Sequence, residues 1–194
     1  MVMGNVVVRS RIARVVLPIA LADDVFLRLL RDGDGESFAR AQMKNRFHLA
    51  PWNPTRDEDF FTTQWQEADT AHRLIGYRAG TGVPQVLVSA DEIVGRVNLG
   101  AITHGAFQSA VLSYWIDSNF AGRGLMTLAV QAVLNMASNE LGLHRIQAET
   151  LVDNISSQAV LNHTGFERVG HAPAYLKING SWQGHDLFQK LLLR

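Results

Sequence analysis

The sequence predicts a single α/β (α+β) domain over residues 1–194, in which a mixed, mostly antiparallel sheet carries helices on both faces. Three observations lead there. Apolar runs at residues 85–90, 92–102 and 107–117 are separated by the turn-like pairs Asp91-Glu92 and His104-Gly105, the pattern of an antiparallel meander. A long apolar helix, GLMTLAVQAVLNMASNEL, then joins strand-like segments at 111–117 and 145–150, so those two strands can lie parallel with the helix as their crossover. Finally, Asn179-Gly180 divides two β-like runs near the end of the chain, a strong hairpin signal.

In chain order, residues 12–18 read as a strand ended by Pro18. Residues 22–32, ADDVFLRLLRD, open on acidic residues and space Val25, Phe26, Leu29 and Leu30 as a short amphipathic helix would. Gly33 and Gly35 break it, and residues 36–47 read as a second helix. Residues 48–54, HLAPWNP, contain two prolines and an asparagine and should form a loop. That loop carries Trp52, either packed beneath it or contacting a substrate. Residues 56–78 are helical again. In residues 92–102, Ile93, Gly95, Val97 and Leu99 alternate with Val94, Arg96 and Asn98, as expected for a hairpin with one buried face. Along the long helix Thr127, Gln131, Asn135 and Asn139 form one polar stripe, so most of its circumference should be buried before Gly142 ends it. Residues 145–150 form a strand with Arg145, Gln147 and Glu149 on one face. Asp153 or Asn154 caps a shorter helix to Thr164, and Gly165 supplies its left-handed end. Residues 166–169, 174–178 and 182–193 complete the set as strands.

Composition narrows the function. Eighteen basic and eighteen acidic side chains cancel, so no overall basic field draws the protein onto nucleic acid. The absence of cysteine excludes disulfides, thiolate metal sites and a cysteine nucleophile. No apolar run reaches membrane-spanning length, and residues 1–17 lack a signal peptide's continuous apolar core and cleavage site. The expectation is a cytoplasmic protein without a membrane partner, as a monomer or homodimer. No His and carboxylate set has metal-ligand spacing.

The segment NFAGRG, residues 119–124, sits between a strand and a helix start. Unpaired N–H groups and the positive end of the helix dipole favour an anion there, and glycines let it approach. The same pattern also serves as an ordinary strand-to-helix connection. Gly122-Arg123-Gly124 lacks the third glycine of a dinucleotide fingerprint and the Gly-Lys-Ser/Thr of a P-loop.

Taken together, a strand, NFAGRG, the long helix, LHRIQAET and VDNISSQAVLNHTGFERVG resemble the acyl-CoA-binding core of the GNAT N-acyltransferase superfamily. The family's Gln/Arg-x-x-Gly-x-Gly/Ala turn is matched at Gly122 and Gly124, with Asn119 where Gln or Arg is usual. Asn-x-x-Ser, followed by an apolar helix ending in Gly-Phe, is matched at Asn154, Ser157, Gly165 and Phe166. The flanks NRFHLAPWNPTRDEDF and AYLKINGSWQGHD look like the RimJ/RimL-type branch, which acetylates protein N-termini, including those of ribosomal proteins. The likeness covers essentially the whole chain, with an acetyl-CoA core at residues 85–170.

The resemblance implies that strands 111–117 and 145–150 splay apart to admit pantetheine, with Tyr114, Trp115, Ile116 and Asp117 along one arm. It places the pyrophosphate of acetyl-CoA, a co-substrate needing no metal, on the N–H groups of Ala121, Gly122, Arg123, Gly124 and Leu125. Arg123 either pairs with phosphate or is solvated. Asn154 matches the asparagine that bonds pantetheine, and it can cap its helix as well. Ser157 lies where the family sets a hydroxyl near the acetyl sulfur. Glu149 matches the general base of some N-terminal acetyltransferases. Leu161 stands where some relatives carry a tyrosine acid, which leaves water or Tyr175 for that role, with His163 and His185 as further titratable groups. The implied acceptor is the α-amine of a protein or peptide N-terminus. A small amine (antibiotic, polyamine or amino acid) is the alternative enzyme reading, and a non-catalytic acyl-CoA-binding module is the other.

Overall fold

A computed structural model describes residues 18–22 and 24–192. Apart from Pro18, the strand expected at 12–18 lies outside the described residues. Among the described residues, eight strands form one sheet: β1 (Ile19–Ala22), β2 (Val25–Leu29), β3 (Val83–Ser89), β4 (Glu92–Thr103), β5 (Ser109–Ile116), β6 (Arg145–Leu151), β7 (Glu167–Ile178) and β8 (Ser181–Leu191). Their order across the sheet is β1-β2-β3-β4-β5-β6-β8-β7, and every pair is antiparallel except β5 with β6. The helices are α1 (Gly35–Lys44), α2 (Arg46–Leu49), α3 (Thr63–Arg78), α4 (Leu125–Asn139) and α5 (Ile155–His163).

The two faces of the sheet hold separate cores. Ala129, Val130, Val133 and Ala137 of α4 and Leu161 of α5 bury against Val83, Leu87, Val97, Leu99, Leu112 and Ile146. On the other face, Phe38 of α1 and Leu74 of α3 pack with Val86, Ile93 and Trp115. The helix α4 behaves as its pattern predicts: Gln131 donates to Asn135 at 3.2 Å along the polar stripe, and Gly142 adopts φ +64° beyond its end.

One expected helix is a strand. Residues 22–32 contribute β2, where Val25 and Leu27 are fully buried and Phe26 is exposed. A short apolar run fits either period, and pairing with β3 through Leu27↔Leu87 decides the outcome. Two other segments differ in detail. The loop predicted at 48–54 begins after α2 and contains a 3₁₀ turn over Ala50–Trp52, whose Pro51 is tolerated in a first turn. Residues 56–78 divide into a 3₁₀ turn at Glu58–Phe61 and α3, which Thr62 caps by accepting the Trp65 N–H at 3.3 Å.

The strands expected at 166–169 and 174–178 are one strand, β7. Its register with β8 slips between Ala172 and Leu176, where Ala174 has φ +49°. This bulge carries Tyr175. Asn179 and Gly180 both have positive φ, 46° and 81°, as a tight hairpin turn requires. The Asn179 N–H donates to Asn53 O at 3.2 Å, tying the hairpin to the Trp52 loop.

Candidate active site

The parallel ladder between β5 and β6 is short. Its register pairs are Ser109↔Arg145, Ala110↔Ile146 and Val111↔Gln147. Beyond them, β5 continues only with β4 as far as Gly95↔Ile116, and β6 only with β8 as far as Leu151↔His185. The central strands therefore splay, and residues 112–116 face a gap with one edge of their backbone unpaired. Side chains alternate across it. Tyr114 and Ile116 pack toward α4 and α5, whereas Trp115 packs toward α1.

At the α4 end of the gap, Gly122 and Gly124 have φ +74° and +75°. A Cβ at either would meet nothing within 4 Å, so the left-handed backbone, not crowding by the protein, requires glycine here. Gly124 is the N-cap of α4 and supplies no side-chain cap. Among the described residues, the N–H groups of Gly122, Arg123, Gly124 and Leu125 find no acceptor in the protein. Unpaired donors at the start of a fifteen-residue helix, three of them on exposed residues, suit a pyrophosphate. The preceding Ala121 N–H is only weakly engaged, 3.4 Å from Ser118 O.

Two side chains expected near the donor are committed elsewhere. Arg123 pairs with Asp24 at 2.9 Å and lies over the Phe120 ring, 5.2 Å from its centroid, so it is neither free nor merely solvated. The buried Asp117 carboxylate accepts from Lys44 at 2.8 Å, Asn45 Nδ2 at 2.9 Å and the Asn119 N–H at 2.8 Å. Burial pushes this carboxyl up, but the hydrogen bonds from Lys44, Asn45 and Asn119 outweigh it and hold the group below its ordinary value. Asp117 thus fastens α1 to the end of β5, and its side chain is unavailable to the donor.

Asn154 caps α5 by accepting the Ser157 N–H at 3.1 Å, while its Nδ2 has no partner among the described residues. One residue can therefore cap the helix and still donate to pantetheine. Ser157 Oγ lies 2.8 Å from the Tyr114 hydroxyl, which is also 3.0 Å from Ser157 O. Burial raises the Tyr114 phenol to about 12 against the opposing hydrogen bond with Ser157, so it stays protonated. Tyr114 is a site residue that sequence reasoning placed only along the strand arm. Its signal was its place on the α5 side of β5 beyond the last parallel pair. Leu161 is fully buried in the α4-side core and has no access to the gap.

Across the gap, Glu149 is two residues past the last parallel pair. It shares a face with Gln147, whose Oε1 accepts from Ser109 at 3.3 Å, and with Leu151. Val111 pairs with Gln147, so Trp115 and Glu149 lie on the same face, opposite α4. Glu149 is half-buried. Burial raises its pKa and the nearby His185 opposes that rise. His185 is buried diagonally opposite on β8, with Nδ1 3.1 Å from Gln183 O. The Tyr175 ring lies 5.4 Å from the His185 ring, and burial followed by the Glu149 charge raises its phenol pKa. Tyr175 and Glu149 therefore belong to one cluster on β6, β7 and β8, whereas Ser157 belongs to the opposite side of the sheet. His163 is remote from the cluster in bonding terms, since its Nδ1 is 2.7 Å from Ala159 O within α5.

A cavity of about 550 Å³ opens beside this cluster, lined by Pro51, Trp52, Leu151, Asp153, His171 and Gln183 among others. Trp52 is thus a wall of a cavity, not a residue sealed beneath its loop. His171 Nδ1 lies 3.1 Å from Asp186, which also accepts from Arg168 at 2.7 Å. Among the described residues, no group of three His, Cys, Asp or Glu side chains is placed to hold a metal, and no helix is long and apolar enough to cross a membrane.

Comparison with known proteins agrees with this geometry. The Acetyltransferase (GNAT) domain family matches residues 24–167. The chain is 32% identical over 182 residues to the ribosomal protein uS5-alanine N-acetyltransferase of Escherichia coli (strain K12), covering 92% of each chain. Ribosomal-protein-S5-alanine acetyltransferase from Vibrio fischeri superimposes with a TM-score of 0.86 at 31% identity, covering 90% of this chain and 96% of that one. Mycobacterium smegmatis RimJ, solved in complex with CoA-disulfide, gives a TM-score of 0.82 at 32% identity, covering 86% of this chain and 81% of that one.

Proposed function

This chain belongs to the GNAT acetyltransferase family, and we propose that it transfers the acetyl group of acetyl-CoA to the α-amine of a protein or peptide N-terminus, directly and in a ternary complex. The observation that carries the reading is the end of the β5–β6 ladder at Val111↔Gln147. It leaves a slot through the sheet, with uncapped α4 donors on one face and Glu149 and the Trp52 cavity on the other. Donor and acceptor meet from opposite sides.

The free N–H groups from Gly122 to Leu125 hold the pyrophosphate, and the unpaired edge of residues 112–116 with Asn154 Nδ2 aligns pantetheine. The acceptor amine enters along Trp52. An α-amine has a pKa of about 7.7–8.0, against about 10.4 for lysine, so a modest base suffices. Glu149, oriented among His185 and Tyr175, receives the amine proton directly or through one water. The amine nitrogen forms its bond to the thioester carbonyl carbon, and the C–S bond breaks. The Ser157 hydroxyl, itself within hydrogen-bond distance of the Tyr114 hydroxyl, donates a hydrogen bond to the departing thiolate, which takes its proton from water. No acyl-enzyme is needed, and the chain has no cysteine to form a thioester.

Thiol release from acetyl-CoA, measured with N-terminal peptides, lysine peptides and small amines, tests the proposal. Turnover confined to peptides with free α-amines is expected. Turnover on small amines alone would overturn the acceptor assignment, and saturable CoA binding without turnover on any amine would overturn the catalytic one.

A further inference from the structure

On the same face as Glu149, three arginines gather around one carboxylate. Arg73 Nε donates to Asp69 at 2.6 Å, and Arg96 Nη1 lies 3.7 Å from the same oxygen, beyond hydrogen-bond distance. Arg96 is mostly buried, yet its guanidinium makes no hydrogen bond among the described residues, and neither does that of Arg56. Aromatic faces hold both: Arg96 sits 5.7 Å from the Phe38 centroid and Arg56 4.5 Å from that of Phe60. Three positive groups around a single aspartate leave two formal charges without a counter-ion. Burial first, then the charge of Arg73, lowers the Arg96 pKa to about 9, with Asp69 opposing and Arg56 adding to the fall.

A further donor points to a ligand. Trp115 stands directly opposite Arg96 in the β4–β5 register, and its ring meets Phe38 edge-on at 6.2 Å. Its indole N–H is buried without an acceptor. An unpaired N–H beside an under-neutralised guanidinium is costly unless an acceptor arrives.

We propose that Arg56, Arg73, Arg96 and the Trp115 indole N–H form an anion subsite that receives an acidic side chain of the acceptor peptide. The proposal rests on the α-amine reading above. Trp115 borders the slot through which that amine reaches the donor. Arg56 follows Trp52 by four residues, so their Cα atoms are at most about 14 Å apart. An extended acceptor passing Trp52 covers that distance with its second to fourth residues. Guanidinium groups favour carboxylates through paired, charge-assisted hydrogen bonds, which a glutamine at the same place cannot match.

The test is kcat/KM for N-terminal peptides of one leading residue, with Glu or Gln placed in turn at positions two, three and four. At one position or more, Glu should exceed Gln by at least about tenfold, the effect of one charge-assisted hydrogen bond. The ratio should fall to within about twofold in Arg56→Gln, an exposed change that leaves the core intact, and in Arg96→Lys. It should persist in Arg40→Gln, whose guanidinium pairs with Glu36 and Glu92 at the surface. Equal turnover of Glu and Gln peptides would overturn the subsite while leaving acetyl transfer standing. A preference that survives both variants would overturn the residues assigned. Should no peptide be acetylated, the α-amine reading fails. Calorimetric titration of the Glu and Gln peptides into the CoA-bound enzyme then decides the subsite alone, and equal affinities overturn it.

Discussion

Glu149 is asked to be buried enough to act as a base near neutrality and charged enough to accept a proton. Those demands oppose one another, and their conflict is measurable. Its carboxyl is raised by burial, with His185 only partly offsetting that. An unfolded glutamate ionises near pH 4.3, so between that value and the folded pKa the native state holds the extra proton. Stability from this group is full below the unfolded pKa and declines as pH rises through the folded one. Replacing Glu149 by Gln should therefore raise Tm at pH 7.5 by about 2–4 °C, the size of a ~1 kcal/mol change in a domain of this length, and leave Tm unchanged at pH 4. The same change should lower kcat about 100-fold without altering CoA affinity, because it removes a proton acceptor and no donor contact. Equal Tm gains at both pH values would assign the effect to packing, and an unchanged pH–rate profile would assign the proton to water. The carboxylate and its strand face were legible, since Arg145, Gln147 and Glu149 alternate in the sequence. Its neighbours His185 and Tyr175 were legible only as isolated titratable residues, because a register slip in β7 and pairing across β8 bring them together.

At the scale of elements, the start of α4 and the clamp between α1 and β5 do different work within a few residues. Gly122→Glu introduces a β-carbon at φ +74° and a carboxylate beside the free N–H groups. CoA affinity by calorimetry should fall at least about 100-fold, and unchanged affinity would remove the pyrophosphate from this turn. Asp117, five residues earlier, serves stability. Asp117→Ala should cost about 2–3 kcal/mol in urea unfolding at pH 7, since Lys44 and Asn45 lose a buried, charge-assisted acceptor. The Asp117 carboxyl is held below its ordinary value, so its stabilisation is present above the unfolded pKa of about 3.9 and lost as pH falls through the folded one. The gap between variant and native protein should accordingly narrow in acid. A constant gap from pH 7 to pH 3 would show that packing alone is at stake. Sequence pattern read α4, α5 and the Asn179-Gly180 hairpin well, because each carries its own periodicity, cap or turn glycine. It failed at β2, where VFLRLL satisfies a helical period locally and only the pairing with β3 selects a strand.

Across the whole molecule the sheet works as a partition, and the two faces differ in how they are written in the chain. The face proposed to hold the donor is nearly contiguous: the strand arm, glycine turn, α4, β6 and α5 occupy residues 109–163 in order. Its motifs could be read in sequence because chain neighbours are also site neighbours. The opposite face draws Phe38, Trp52, Arg56, Arg73, Arg96 and Glu149 from many elements, and no local pattern announces their meeting. The opening of the ladder after Val111↔Gln147 connects the two faces, and it makes a prediction about dynamics. Paired strands protect their amides, whereas the free edge of residues 112–116 exchanges through solvent. On adding CoA, hydrogen exchange should slow in peptides spanning residues 112–117 and 121–127, where ligand contacts replace missing backbone partners. The β7–β8 hairpin, on the acceptor side, should remain unchanged until a peptide is added. Protection of the glycine turn alone would mean that the pyrophosphate binds but pantetheine does not use the open strand. Protection spread evenly over the sheet would mean that the gap closes on binding, and the partition would then be a property of the free protein only.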